Sequence, residues 1–185
     1  MTRLFLAVTP PEAVRESLES LLGPRRDAST DVRWLPPENW HLTLAFLYEV
    51  DDARADNLGD LLAGVAARTA PFAVTVEGGG CFPHADAARV LWLGVAAGAD
   101  EIGVLARRCR TAAARAGIDV EGGRYRPHLT LGRHSRGAKV RGWLGVLDSF
   151  PALAWQVDHF ALYSSELNRG GSRYRELQRF ELAGS

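Results

Sequence analysis

Much that would narrow the function of a 185-residue chain is missing from this one. Its only cysteines are Cys81 and Cys109, with no Cys-x-x-Cys pair. That excludes a disulfide-stapled scaffold and a cysteine zinc site, and makes reduced thiols in a cytoplasm the expected state. The one early apolar run, Leu4 to Val8, stops at Thr9-Pro10-Pro11-Glu12. It is too short for the core of a secretory leader and has no small-residue cleavage site. No later run approaches the ~18 apolar residues that a membrane span needs. Formal net charge is +0, which argues against a protein that coats nucleic acid indiscriminately. There is no Gly-x-Ser-x-Gly elbow, no glycine-rich loop of the P-loop type and no His-x-x-x-His pair. Serine nucleophiles, P-loop phosphoryl transfer and a helix-borne zinc site therefore lack their signatures.

What is present is globular, with 46% hydrophobic and 24% charged residues. The length suits one domain, residues 1–185, built of two similar halves. The neutral total hides an uneven distribution. From Gly103 to Gly142 ten basic residues face only Asp119 and Glu121, a local net charge of +8, so an anion site in the second half is expected. Arg107, Arg108, Arg110 and Arg115 fall on a helical stretch and read as a solvated face. The arginines beside the second motif described below are better candidates for binding.

Periodicity predicts a strand at Arg3 to Val8, then a helix with Thr9 in a capping-box position, an inward stripe of Val14, Leu18, Leu21 and Leu22, and an end at Gly23-Pro24. A strand from Trp40 to Val50 follows Pro36-Pro37, and Asp51-Asp52 caps a second helix bearing Leu58, Leu61, Leu62 and Val65. The second half repeats the plan. It has a strand at Phe72 to Glu77, a break at Gly78-Gly79-Gly80, a strand at Arg89 to Val95, a helix from Asp100 to Ala116 and a strand from Arg124 to Arg133. A basic loop from Arg133 to Gly142, a short helix with Trp143, Leu144 and Leu147 inward, and strands at Trp155 to Ser164 and Tyr174 to Leu182 complete the chain. Such an order indicates α+β with mainly antiparallel pairing.

The strands at Trp40 and Arg124 each carry His-Leu-Thr-Leu, at His41 to Leu44 and again at His128 to Leu131. Alternation in a strand puts His41 and Thr43 on one face and Leu42 and Leu44 on the other, and likewise for His128, Thr130, Leu129 and Leu131. Each motif thus buries two leucines and offers an imidazole and a hydroxyl. If the strands lie side by side, four polar groups converge. Two histidines can divide the proton transfers of phosphodiester opening between a base and an acid, and threonine hydroxyls can bind the oxygens where charge develops. No cofactor is needed for this, and a zinc reading wants a third ligand that neither motif supplies.

Arg3-Leu-Phe-Leu-Ala-Val, Val32-Arg-Trp, His41-Leu-Thr-Leu-Ala-Phe46, Arg126-Pro-His-Leu-Thr-Leu-Gly-Arg133 and the ending Gly170 to Leu177 resemble the 2H phosphoesterase superfamily. Within it, the chain is similar to RNA 2′,3′-cyclic phosphodiesterases, also called 2′-5′ RNA ligase-like proteins. The resemblance implies a bilobal α+β fold of two pseudo-twofold-related lobes about a central cleft. It also implies hydrolysis of the terminal cyclic phosphate of RNA to a 2′-phosphomonoester without a metal. His41 would be the proton donor, His128 the proton acceptor, and Thr43 and Thr130 the phosphate ligands. The family pattern also has a basic residue at Arg133, whose odd separation from His128 would turn it away unless the strand bulges. Phe46 has the same offset from His41 and reads as core rather than as a base-stacking platform. His84 and His134 read as exposed loop residues and His159 as structural. The expected partners are RNA ends or a small cyclic nucleotide, with no membrane and no obligate protein partner, for a cytoplasmic monomer. A non-catalytic RNA-end-binding module is the alternative of another class; the intact histidines and the absence of RNP-type aromatic motifs count against it.

Overall fold

In β1 (Arg3–Val8) Leu4, Leu6 and Val8 join the main apolar core, while Phe5 and Ala7 join a separate cluster, the two-residue period of a strand packed on both faces. The computed structural model describes residues 3–26, 32–48, 50–168 and 171–184. The Pro11 carbonyl accepts the amides of Val14 and Arg15, so Pro11, not Thr9, is the cap of α1 (Glu12–Arg26). This helix also runs past Gly23-Pro24. The missing proline amide removes one bond near the helix end, and the Arg25 guanidinium turns back onto the Leu21 carbonyl.

Then follow β2 (Arg33–Trp34), a 3₁₀ turn (Pro37–Asn39), β3 (Leu42–Tyr48), α2 (Asp52–Ala67), β4 (Phe72–Phe82), β5 (Ala88–Ala97), α3 (Ala99–Arg115) and β6 (Asp119–Val120). The chain ends with β7 (His128–Ala138), α4 (Arg141–Asp148), β8 (Leu153–Val157), β9 (His159–Asn168) and β10 (Gly171–Glu181). Three expectations are corrected. β4 continues through Gly78-Gly79-Gly80, because Gly78 takes the positive φ of a bulge in the β4–β5 pairing and the next two glycines admit neighbours. A Cβ on Gly80 would lie 2.0 Å from the Trp92 ring, and one on Gly79 would lie 2.8 Å from Leu147 Cβ. The basic stretch after Arg133 is largely strand, paired with β5 as far as Ala138. The expected strand Trp155 to Ser164 divides at Asp158, where the residues of the main core change from odd (Trp155, Val157) to even (Phe160, Leu162), while Ala161 and Tyr163 join the smaller cluster on the other face. β8 then pairs with β4, and β9 with β1 and β10.

The sheet order is β10-β9-β1-β3-β7-β5-β4-β8, and each pairing is antiparallel. The two motif strands are central, with three strands beyond each, so the sheet is two matched halves. β3 and β7 pair directly only at Leu42–Leu129. Reciprocal ties reinforce this joint. β2, which precedes the first motif, pairs with β7, and β6, which precedes the second, pairs with β3. Helices α2 and α3 cover the β3 half and α4 packs on β4, which gives the two-lobed α+β architecture. Among the described residues no helix is long and apolar enough to cross a membrane.

Candidate active site

Leu42, Leu44, Leu129 and Leu131 are 0% exposed in the core, which fixes the outward direction of their neighbours. His41, Thr43, His128 and Thr130 are half-buried on the other face of the sheet. Continuing the Leu42–Leu129 register by one residue sets His41 opposite Thr130 and Thr43 opposite His128. The two imidazoles then occupy a diagonal, whose positions lie roughly 7–8 Å apart, and somewhat less at Cβ. That interval accommodates a phosphate with one ring on each side.

Both rings are held in the same way. His41 Nδ1 lies 2.7 Å from the Asn39 carbonyl and His128 Nδ1 lies 2.7 Å from the Arg126 carbonyl, each two residues back. A carbonyl only accepts, so Nδ1 carries a proton in each, and in the neutral ring Nε2 is the free base facing outward. Aromatic rings flank each imidazole. Phe5 and Tyr174 stand 5.0 and 5.3 Å from His41, and Phe82 and Trp92 stand 5.0 and 5.8 Å from His128, between centroids. Burial among them lowers both pKa values. The carbonyl bonds partly oppose this, and the positive charge of Arg133 reinforces it. His41 is brought down to about 4. Both rings are thus predominantly neutral at pH 7.

Each motif carries a β-bulge at its fourth residue. Ala7 pairs with Thr43 but Leu6 with Ala45, leaving Leu44 as the extra residue. Trp92 pairs with Thr130 but Leu91 with Gly132, leaving Leu131 as the extra residue. A bulge inverts the side-chain alternation beyond it. Arg133 therefore points to the same side as His128, consistent with its charge acting on both histidines. Phe46, at the matching position of the first motif, is 40% exposed and 6.2 Å from Phe5. It is a surface ring on the His41 side, not the core residue suggested by simple alternation. The same inversion buries His134 at 8% exposure, so His134 is a strand residue facing the core side rather than an exposed loop residue. His84 is exposed. His159 bonds to Asp158 through Nδ1 at 2.6 Å, as suits a structural residue.

Two side chains without a sequence signature serve the first motif. Tyr125 donates its hydroxyl to the Thr43 carbonyl at 2.8 Å, and Arg110 donates Nε to the Leu44 carbonyl at 3.3 Å while lying 5.1 Å over the Tyr125 ring. Arg110 is thus half-buried against the bulge, not part of a solvated face. The cavity between α2 and α3, lined by Arg68, Arg107, Arg108 and Arg115, includes no motif residue. Among the described residues one group has metal-ligand spacing, Asp158, His159 and Glu181, and it includes neither motif histidine.

The family model of LigT-like phosphoesterases matches this chain twice, over residues 8–92 and 93–174, one copy for each histidine motif. Among similar proteins, the RNA 2′,3′-cyclic phosphodiesterase of Thermus thermophilus is 35% identical, with 98% of this chain and 91% of that protein covered. The enzyme of the same name from Escherichia coli is 32% identical over 97% and 96%. The crystal structure of E. coli LigT complexed with 3′-AMP superposes with a TM-score of 0.76 at 31% identity, covering 98% of this chain and 97% of the other.

Proposed function

This chain belongs to the LigT-like phosphoesterase family of 2H phosphoesterases, and from that premise we propose that it hydrolyses the terminal 2′,3′-cyclic phosphodiester of RNA to a 2′-phosphomonoester. The observation that carries the reading is the pair of outward Nε2 atoms, each ring locked through Nδ1 to a carbonyl, on rings near enough for the charge of His128 to act on His41. Residues 1–185 act as one bilobal domain, with the reacting group bound where the halves meet.

Water attacks phosphorus opposite O3′, and neutral His128 takes the water proton on Nε2. The P–O3′ bond breaks, its electrons remain on O3′, and protonated His41 delivers the Nε2 proton there. The ester bond to O2′ survives. Thr43, Thr130 and Arg133 hold the non-bridging oxygens, where preorganised donors matter most as charge develops. His41 can be the donor only if its pKa rises on binding, and the substrate anion supplies that rise by offsetting Arg133 and favouring the cation. The exposed ring of Phe46 offers a surface for the terminal base, as aromatic side chains do for unstacked RNA bases. The setting is cytoplasmic, the partner is an RNA end, and no second protein is required.

The test is direct. An oligonucleotide ending in a 2′,3′-cyclic phosphate is incubated with the protein in EDTA, and the product is identified chromatographically. A 2′-phosphate end is expected. Binding without turnover would instead indicate an RNA-end-binding module, and loss of turnover in EDTA restored by one metal would overturn the mechanism.

A further inference from the structure

Arg33 and Arg133 are direct partners in the antiparallel pairing of β2 with β7. Directly opposed residues of neighbouring strands project to one face, and like charges so placed repel. Here that face is the cleft. Trp34 and Val32, on either side of Arg33, pack inward against Gly132, where an added Cβ would meet Val32 Cγ1 at 2.5 Å and Trp34 at 3.0 Å. Arg33 is exposed, as is Arg133. Among the described residues neither arginine forms an ion pair. Two arginines thus leave the backbone side by side at one end of the cleft and, among the described residues, neither is paired with a carboxylate. An anion between them would be favoured by both charges, and guanidinium forks suit phosphate oxygens.

We propose that Arg33, acting beside Arg133, is a second phosphate-binding residue that engages the phosphodiester on the 5′ side of the terminal nucleotide. The assignment rests on the functional reading above and narrows its substrate class. A cyclic mononucleotide lacks that second phosphate, whereas every RNA chain end carries it. Arg33 therefore selects chain ends over free cyclic nucleotides. It was legible in the sequence only as part of Val32-Arg-Trp, with nothing to say which residue it would face.

The experiment compares wild type with R33Q and R33K in two arms. In the first, kcat/KM is measured for a nucleoside 2′,3′-cyclic monophosphate and for a tetranucleotide ending in the cyclic phosphate. The oligonucleotide-to-mononucleotide ratio should fall about tenfold in R33Q, the size expected for one charge-assisted bond, and R33K should restore part of it. The second arm needs no turnover. A dye-labelled tetranucleotide carrying a 2′-phosphate is bound at several salt concentrations. R33Q should bind about tenfold more weakly, with the slope of log affinity against log salt reduced by roughly 0.7, the value for one contact to a single strand. An unchanged ratio together with unchanged affinity and slope would overturn the proposal. If wild type turns over neither substrate, the enzymatic reading fails, and the binding arm still decides the role of Arg33. Thermal melting of each variant guards against misfolding, and if R33Q is melted, R33M, which keeps the aliphatic stem without the charge, takes its place in both arms with the same expected losses.

Discussion

Because His41 is held at about 4 by burial between Phe5 and Tyr174, only about one His41 ring in a thousand is protonated at pH 7 in the free protein. His128 is also held below 6.5. The kcat/KM profile reports ionisations of the free enzyme and the kcat profile those of the complex. With a cyclic-phosphate oligonucleotide as substrate, kcat/KM should be bell-shaped with both limbs below pH 6.5 and the lower one near 4. Both limbs of kcat should lie at higher pH, because a bound phosphate anion stabilises each imidazolium. Replacing Arg133 by glutamine removes a positive charge felt by both rings and should move the kcat/KM limbs upward while weakening catalysis. An NMR titration of the histidine ring protons assigns the lower ionisation to His41 independently. Limbs at or above 6.5 in kcat/KM, or identical profiles for kcat and kcat/KM, would refute the recruitment of the donor proton by substrate charge.

Alanine at either His41 or His128 should cost roughly 10²- to 10⁴-fold; a nitrophenyl phosphodiester, whose leaving group needs little protonation, should partly rescue H41A and not H128A, and the opposite pattern reverses donor and acceptor. Y125F deprives the Thr43 carbonyl of its 2.8 Å donor and should lower kcat about two- to tenfold with KM little changed. In a T43V background the same change should have a smaller effect, and additivity would make Tyr125 a packing residue only. The depressed pKa of His41 also has a stability consequence. The unfolded chain binds a proton near 6.5 that the folded chain refuses until about 4, so stability is full above pH 6.5 and falls as pH drops toward 4, by ~3 kcal/mol for this group. Urea unfolding at pH 7 and pH 4.5 should show that loss, smaller in H41Q, and equal losses in both would assign it elsewhere.

The repeated His-Leu-Thr-Leu was enough to single out the candidate histidine pair and the core leucines, because a strand alternates and its apolar residues take the buried side. In β1 the strand itself was legible, while the division of Leu4, Leu6 and Val8 from Phe5 and Ala7 into two apolar clusters appeared only in the structure. Alternation failed where the period itself breaks. One extra residue at Leu44 and another at Leu131 invert the pattern beyond each motif, and this turns Arg133 toward the cleft, exposes Phe46 and buries His134. A bulge leaves no reliable mark in a single sequence, since it depends on which partner strand supplies the opposing bonds. Likewise Gly79 and Gly80 read as a break, when their role is to let Leu147 and Trp92 approach, contacts made by residues far along the chain. The division at Asp158 was not read from the sequence, where Trp155 to Ser164 ran as one strand, and the assignment of β8 and β9 to opposite halves of the sheet came from pairing alone. Local periodicity determined which groups could do chemistry. The bulges and the exchange of β2 and β6 between halves determined which other side chains stand beside them, because those positions are fixed by long-range hydrogen bonding.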